Sequence, residues 1–252
     1  MNSYQTLKVK KEGGIVTAFL NRPNSGNSIN MQMITELSNL MDIVEDAKDL
    51  STLVLRGSND VFCSGIDLKD FSQNKSPDIY GLQKWEKMCR RLEMLKKTTI
   101  AAVQGECTGG GFQLILLCDL RIAERNAQLC FNEVKLGFLP GMATFRLAKY
   151  IGLGLAKNLI LTGRTVMPDE ALSLGLLDQI CEQSMLDDLL RETIEKLVPF
   201  NLVAHEMARR LLNECYATSY ENFIGHFLAA QHRAINSDAF KNLLSKAHDE
   251  VV

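Results

Sequence analysis

Three consecutive glycines restrict the possible folds of this chain more than any other feature of its sequence. The glycines at positions 109–111 follow an apolar, β-prone run at residues 99–104, after a short connection at residues 105–108. The apolar residues 112–118 come next and are predicted to form a helix. A strand that passes into a helix through glycines leaves free N–H groups at the helix start, where a carbonyl can closely approach the main chain. The segment therefore predicts a strand–helix unit with a candidate site for a negatively polarised oxygen.

Apolar periodicity predicts further strands and helices on both sides of the glycines. The predicted strands are residues 4–10, 14–20, 51–56, 99–104, 120–124 and 177–181, with 127–131 as a further candidate. The predicted helices are residues 31–45, 78–97, 112–118, 144–162, 185–197, 201–217, 220–236 and 237–246, and a short one begins at Pro168. Asn30 is expected to cap the first helix through its side chain. Strands that alternate with helices indicate a mixed α/β fold with crossover connections.

Helical patterns dominate the C-terminal part of the chain, which has more helix than an α/β core needs. We expect a core domain at residues 1–195 and a C-terminal helical oligomerisation segment at residues 196–252. Packing of this segment onto its own core is the alternative interpretation. Within the core, the predicted helix at residues 78–97 is amphipathic, with its charged residues opposite an apolar face. That face is formed by Leu82, Trp85, Met88, Leu92 and Leu95.

Composition excludes several classes of partner and site. The formal net charge is −2 and the lysines and arginines are scattered, so nucleic acid and anionic membranes are not expected as partners. No apolar run approaches the ~20 residues that span a bilayer, and the N-terminus lacks the apolar region of a signal peptide. The seven cysteines include no C-x-x-C pair, which favours free thiols over disulfides or zinc. We therefore expect a cytoplasmic protein without a metal.

Another glycine turn occurs earlier in the chain, directly after a predicted strand, at residues 62–67. In chain order it is the first turn, and the three glycines form the second turn. An enolate or tetrahedral oxyanion is stabilised by two backbone N–H donors that point at one position. Such donors come from turns whose amides are not already used in a sheet. Each turn alone is typical of an ordinary tight connection. Together, each after a buried strand, they match a known pattern.

On these residues the chain resembles the enoyl-CoA hydratase/isomerase (crotonase) superfamily, across roughly residues 5–185. The matching segments are Asn21-Arg22-Pro23 with Asn27-Ser28-Ile29-Asn30, Phe62-Cys63-Ser64-Gly65-Ile66-Asp67, Ile100-Ala101-Ala102-Val103-Gln104-Gly105 with the three glycines, Cys118-Asp119, and Leu136-Gly137 with Pro140-Gly141. The resemblance implies a repeated ββα spiral core with a helical C-terminal segment. It also implies homotrimers or hexamers.

The same resemblance implies where an acyl thioester would bind. The N–H groups of Ile66 and Gly110 correspond to the oxyanion hole of the family. The substrate carries coenzyme A or an acyl-carrier phosphopantetheine arm, and no prosthetic group is implied. The residues expected to contact the carrier are Asn24, Ser25, Gly26, Ser64 and Asp67. For Asp67 we favour a role in capping the turn that presents Ile66.

One catalytic position departs from the pattern of the parent hydratases, which use two glutamates that share a water molecule. At the first of these positions the chain has Gln113, which cannot exchange a proton near neutral pH but can orient a water or a carbonyl. The second position is kept as Glu133. Burial beside Phe131, Val134 and Phe138 is expected to raise the pKa of this carboxyl toward neutrality. A single carboxylate predicts one-base chemistry and disfavours ordinary two-glutamate hydration.

Several reactions fit one carboxylate beside an oxyanion hole. The motifs resemble dehydratases that act on carrier-bound 3-hydroxy-3-methylglutaryl groups in polyketide β-branching, and this is the preferred specific interpretation. Δ3,Δ2-enoyl-CoA isomerases and decarboxylases of glutaconyl thioesters are the alternatives of the same superfamily. A protein that binds a partner without catalysis is the alternative of another class. Cys63 and Cys107, next to the two turns, are interpreted as small core residues.

Overall fold

The computed structural model describes residues 4–72, 79–197 and 202–249 of the 252-residue chain. Its contacts divide the chain into two compact units, Met1–Glu192 and Thr193–Val252. Within the described ranges, no helix has both the length and the apolar character that crossing a lipid bilayer requires. All the residues of the candidate site lie in the first unit.

The first unit alternates strands and helices along the chain. Its strands are β1 (Leu7–Glu12), β2 (Ile15–Leu20), β3 (Thr52–Gly57), β4 (Val61–Cys63), β5 (Thr98–Val103), β6 (Glu106–Thr108), β7 (Leu120–Glu124), β8 (Gln128–Cys130), β9 (Thr165–Val166) and β10 (Gln179–Cys181). Its helices are α1 (Met31–Asp46), α2 (Leu68–Ser72), α3 (Ile79–Met94), α4 (Gly110–Leu116), α5 (Ala143–Thr162) and α6 (Pro168–Ser173). Helix α7 (Leu186–Leu197) crosses the boundary between the units. The predicted α/β fold is confirmed.

Two sheets share these strands, and the chain passes repeatedly from one sheet to the other. The first sheet has the order β1-β2-β3-β5-β7-β10, and all its pairs are parallel except β1 with β2. The second sheet has the order β4-β6-β8-β9, in which β4, β6 and β8 are parallel. After β3, β5 and β7 in the first sheet, the next strand joins the second sheet. This repetition builds a spiral of similar units.

Local sequence explains the best predicted elements. The side chain of Asn30 accepts a hydrogen bond from the Met33 amide at 2.9 Å, so helix α1 begins where the capping residue predicts. Strand β5 lies between β3 and β7, and all six of its residues are buried. Both faces of such a strand are buried, so its apolar and polar residues do not alternate. It is recognised instead by its continuous apolar run.

The second sheet corrects two predictions. Residues 105–108 were expected to form a plain connection, but they include strand β6. Phe62 and Cys63 were expected in the first turn, yet they belong to β4, and the turn begins at Ser64. Strands of three residues are too short to show a period of two, so the pattern could not reveal them.

The second unit consists of helices. After the end of α7 they are α8 (Leu202–Glu214), α9 (Tyr220–Ile235) and α10 (Asp238–Asp249). Helix α9 packs against α8 and α10, and the Ser219 side chain caps its N-terminus. The predicted helical character of this region is confirmed. Its role in oligomerisation stays a prediction.

Candidate active site

The candidate site lies where three parallel strands of the second sheet end. Cys63 of β4 pairs with Cys107 of β6, and Thr108 of β6 pairs with Cys130 of β8. Because the strands run in the same direction, their carboxyl ends meet at one edge of the sheet. The segments that follow carry Ile66, Gly110 and Glu133, so residues far apart in the sequence are placed side by side.

The first turn leaves the amide of Ile66 free. An isolated parallel bridge joins Ile66 to Ile29: the Ile29 amide donates to the Gly65 carbonyl, and the Asp67 amide donates to the Ile29 carbonyl, both at 2.8 Å. A parallel bridge of this kind uses the peptide groups that flank Ile66 and not its own N–H. In the described ranges no acceptor is found for the Ile66 N–H.

The second turn leaves the amide of Gly110 free for a different reason. The Gly109 amide donates to the Cys130 carbonyl at 2.8 Å, and Gly110 is then the first residue of α4. The first N–H groups of a helix have no acceptor within the helix. Among the described residues the Gly110 N–H has no acceptor from elsewhere either.

The two turns touch each other. A Cβ added at Gly65 would lie 3.6 Å from the Gly110 nitrogen and 3.1 Å from the Thr108 carbonyl oxygen. A Cβ added at Gly110 would lie 3.3 Å from Ile66 Cδ1. The free amides of Ile66 and Gly110 therefore belong to adjoining stretches of backbone, which only small residues allow to approach so closely.

Glu133 lies against the second turn as a buried carboxyl. It begins the short 3₁₀ helix Glu133–Leu136, and only 7% of its surface is exposed. Its Oε2 atom is buried without a hydrogen-bond partner among the described residues. Burial raises the pKa of Glu133 above its usual value. A Cβ at Gly109, whose φ is +54°, would lie only 2.7 Å from Glu133 Oε1, so the carboxyl lies directly against the second turn.

Gln113 and Glu86, a residue that the sequence patterns did not single out, form another part of the site. Gln113 is 2% exposed, and its Nε2 donates to Glu86 Oε1 at 2.9 Å and to Cys89 Sγ at 3.4 Å. Glu86 lies on α3, where all charges were expected opposite the apolar face, and this expectation is wrong. Glu86 follows Trp85 and lies one turn after Leu82, at the edge of the apolar face. This position was the one sign in the sequence that its side chain could face inward.

A cavity of about 500 Å³, called the main cavity because it adjoins Glu133 and the Gly110 amide, lies beside the groups described above. Its wall is mostly apolar, with four polar side chains and the two backbone segments around Gly110 and Gly141. The lining residues are Ile66, Leu82, Trp85, Glu86, Gly110, Gln113, Glu133, Gly137, Phe138, Leu139, Pro140, Gly141, Met142 and Thr144. The structure thus brings Ile66, Gly110, Gln113 and Glu133 together around one space, which can hold a small acyl group.

A second cavity of about 540 Å³ contains most of the residues expected to contact the carrier. It is lined by Arg22, Asn24, Ser25, Ser28, Ser64, Ile66, Asp67, Leu68, Lys69 and Asp70. Gly26 does not line it but supports its wall, because a Cβ there would lie 2.9 Å from Ser64 Oγ. A small cavity of about 70 Å³ borders the same turn. Ile66 lines all three cavities, so they meet at the first turn.

Asp67 is held by several donors at the edge of the second cavity. Its carboxyl forms an ion pair with Arg22 at 2.8 Å and accepts hydrogen bonds from the amides of Lys69 and Asp70, at the start of α2. Although burial favours the neutral carboxyl, the hydrogen bonds from Arg22 and these amides keep the pKa of Asp67 below its usual value. Asp67 thus caps the helix after the turn, close to the capping role that we favoured.

Neither cysteine beside the turns has the properties of a nucleophile. Burial raises the pKa of Cys63 to about 12, and it raises the pKa of Cys107 well above its usual value. Both thiols therefore stay protonated near neutral pH, and the thiolate is the reactive form. In the part of the chain that the structure describes, no three His, Cys, Asp or Glu side chains are grouped as a metal site.

Comparison with known proteins identifies the family. Residues 10–248 match the family described as enoyl-CoA hydratase/isomerase. The chain belongs to this family. The short-chain-enoyl-CoA hydratase of Clostridium acetobutylicum is 33% identical over 209 residues, which cover 81% of this chain and 80% of the relative. The crotonyl-CoA hydratase of Syntrophomonas wolfei is 30% identical over 244 residues, which cover 94% of this chain and 89% of the relative.

Solved structures agree with this assignment. An enoyl-CoA hydratase from Bacillus anthracis superimposes with a TM-score of 0.91 at 26% identity, covering 98% of this chain and 97% of that one. A Thermobifida fusca structure, determined in complex with acetoacetyl-CoA, has a TM-score of 0.82 at 27% identity and covers 90% and 93%. The chain is therefore an enzyme of the enoyl-CoA hydratase/isomerase family with the crotonase fold, as its motifs predicted.

The buried Glu133 of this family member yields a prediction about stability. A carboxyl with a raised pKa binds its proton more tightly in the folded than in the unfolded protein. The resulting contribution to the free energy of unfolding is present at low pH and is lost as the pH rises through the folded-state pKa. At about pH 8, Glu133→Gln is therefore expected to raise the melting temperature, because it removes a desolvated charge.

The pH dependence distinguishes this effect from a general change in packing. Thermal melts of the wild type and Glu133→Gln are expected to converge below about pH 4, where both side chains are neutral. Glu106→Gln is a matched control, since Glu106 is an exposed carboxylate in β6. A lower melting temperature of Glu133→Gln at pH 8 would show that the charge is not under a desolvation penalty.

Proposed function

We propose that the chain is a hydro-lyase that interconverts 3-hydroxyacyl and enoyl thioesters, with Glu133 as its only acid–base group. One observation carries the proposal. The carboxyl of Glu133, buried and with an unpaired oxygen, packs against Gly109 directly beside the free amides of Ile66 and Gly110. A proton-transfer group and two unused backbone donors at one cavity suit a reaction in which charge develops on a thioester oxygen.

The proposed dehydration needs one carboxylate in two roles. Glu133 removes the proton from the carbon next to the thioester carbonyl, and the electron pair moves to the carbonyl oxygen. The amides of Ile66 and Gly110 stabilise the enolate that forms. The electron pair then returns to form the carbon–carbon double bond as the hydroxyl leaves. Protonated Glu133 supplies the proton to this group, so water departs and the carboxylate is restored.

The path of the substrate follows the arrangement of the cavities. We place the acyl group in the main cavity, the thioester at Ile66 and Gly110, and the carrier beside Asn24, Ser25 and Ser64. The enoyl-CoA hydratases named above support coenzyme A as the carrier. The arm of an acyl-carrier protein contains the same pantetheine group and could contact the first turn in the same way. An acyl-carrier protein is therefore the alternative carrier. Assembly into trimers or hexamers also stays a prediction, which analytical ultracentrifugation will test.

Isomerisation is the second candidate function. Moving a double bond from position 3 to position 2 also needs one base and one oxyanion hole, and Gln113 in place of a second carboxylate is compatible with it. A 3-hydroxy-3-methylglutaryl or glutaconyl substrate is less favoured, because no Lys or Arg is among the described residues that line the main cavity. The free carboxylate of such an acyl group would lose its hydration there without gaining a positively charged partner.

A panel of thioesters tests the proposed function. We expect the purified protein to interconvert 3-hydroxybutyryl-CoA and crotonyl-CoA. Chromatography measures the amounts of both compounds over time. The 3-butenoyl, 3-hydroxy-3-methylglutaryl and glutaconyl thioesters, each on coenzyme A and on an acyl-carrier protein, are expected to react more slowly. Faster conversion of 3-butenoyl-CoA would favour the isomerase. If no thioester reacts and none binds, the proposed function is wrong and a non-catalytic binding protein is favoured.

A further inference from the structure

Glu86 connects three parts of the main cavity although it is remote in sequence from the two turns. Its Oε1 accepts hydrogen bonds from Gln113 Nε2 at 2.9 Å and from the Met142 amide at 3.1 Å. Its Oε2 accepts from Arg146 Nη1 at 3.1 Å. The Arg146 side chain is only 7% exposed and supplies the compensating positive charge. Both carboxyl oxygens of Glu86 are thus engaged by donors on α4, α5 and the segment before α5.

These contacts determine which way the amide of Gln113 points. The nitrogen and oxygen of a glutamine amide are interchangeable in shape, so only hydrogen bonding can distinguish them. An ionised carboxylate accepts hydrogen bonds and cannot donate. The atom of Gln113 that faces Glu86 must therefore be the NH₂ group. The carbonyl Oε1 is then directed toward Gly141, where an added Cβ would lie 3.1 Å away.

The carbonyl of Gln113 has no protein donor in the described ranges, although Gln113 and Gly141 both line the main cavity. This oxygen is open to the cavity, where water can donate to it. An acyl chain that displaces the water without offering a donor costs free energy, whereas a ligand that donates to the oxygen avoids that cost. The nearby wall consists of apolar side chains such as Leu82, Trp85 and Leu139. An acyl chain that is apolar apart from one hydroxyl group fits this combination. A chain without a hydroxyl leaves the Gln113 carbonyl unpaired.

We propose that Glu86 is a positioning residue that fixes the amide of Gln113, so that its carbonyl selects acyl thioesters carrying a hydroxyl donor. This inference rests on the proposed function and names the substrate feature that the site recognises. Glu86 acts through Gln113 and does not itself exchange a proton. Gln113 thereby puts a fixed acceptor at the first of the two glutamate positions of the parent hydratases.

Binding measurements in the Glu133→Gln background test this proposal, because that variant is expected to hold the hydroxyacyl compound without converting it. Isothermal titration would compare 3-hydroxybutyryl-CoA with butyryl-CoA, which differ by the hydroxyl alone. We expect a preference of about tenfold for the hydroxyl compound, the effect of one hydrogen bond. Adding Glu86→Ala is expected to abolish the preference while butyryl-CoA binding changes less than about twofold.

Two further variants separate positioning from general packing. Glu86→Gln keeps an acceptor oxygen for Gln113 and is expected to retain most of the preference. Glu93→Ala is the matched control: Glu93 is on the same helix and 3.6 Å from Arg146, and the full preference should remain. If Glu86→Ala fails to fold by circular dichroism, Gln113→Met replaces it, and that variant is also expected to lose the preference.

The outcomes distinguish this inference from the proposed function. A preference that survives in Glu86→Ala, or in Gln113→Met, overturns the positioning role. Equal binding of the two thioesters by the Glu133→Gln protein overturns it as well. If that protein and the wild type bind neither thioester, the proposed function itself is contradicted, and the inference falls with it.

Discussion

Replacing Glu133 by glutamine is expected to lower kcat/KM for the preferred thioester by about 10²–10⁴, the contribution of a positioned acid–base group. The side chain keeps its size, but glutamine can neither remove nor return a proton. Glu86 is the other carboxylate among the described residues that line the main cavity, and donors engage both of its oxygens, so we do not expect it to take over. Steady-state kinetics with both 3-hydroxybutyryl-CoA and crotonyl-CoA measure the effect in each direction.

Binding and a control variant show whether this loss is chemical. The dissociation constant for butyryl-CoA is expected to stay within a factor of about three, since this thioester has no hydroxyl to lose and no double bond to hydrate, and so undergoes no net reaction. Glu106→Gln removes an exposed carboxylate from β6 and should leave kcat/KM unchanged. Turnover by Glu133→Gln within a few-fold of the wild type would remove Glu133 from the mechanism.

Removing the Gly110 amide hydrogen is expected to lower kcat by about 10²–10³, as the loss of one oxyanion donor does in other enzymes. The change Gly110→Pro is suited to this purpose because Gly110 is the first residue of α4, the helical position that tolerates proline. The preceding Gly109 has no Cβ, which relieves part of the restriction on a residue before proline.

Gly110→Ala is the matched control for this variant. It adds a Cβ but keeps the N–H, and this Cβ would meet the flexible ends of Ile29 and Ile66 at 3.1 and 3.3 Å. The ratio of the two kcat values therefore reports the loss of the N–H together with the ring Cδ that replaces it, provided that near-ultraviolet circular dichroism shows both variants to be folded. Equal activities of the proline and alanine variants would mean that the Gly110 amide does not stabilise the transition state.

The parts of the site that were predictable from sequence are those that motifs and continuous patterns specify. The glycine turns and Glu133 occur at the spacings of the family. Four residues that line the main cavity were therefore predicted from the sequence: Ile66, Gly110, Gln113 and Glu133. Asn30 and the periodic helix after it were equally clear, because capping and amphipathicity are local properties.

The second sheet and Glu86 were not predictable in the same way. Strands β4 and β6 have three residues each, and a strand that short has no periodicity to detect. Glu86 reaches the cavity from α3, 27 residues before its partner Gln113. Its position one turn after Leu82 places it at the edge of the apolar face, and an edge position is compatible with either the cavity or solvent. Tertiary packing alone decides that this carboxylate faces inward.

A crystal structure of the Glu133→Gln protein with 3-hydroxybutyryl-CoA tests the proposed mechanism at the reacting atoms. We expect the thioester oxygen about 2.7–3.1 Å from the amide nitrogens of both Ile66 and Gly110, the spacing of an oxyanion hole. The side chain at position 133 should lie beside the carbon next to the carbonyl, with the hydroxyl at Gln113 Oε1. A thioester oxygen bound away from these two amides would contradict the proposed mechanism.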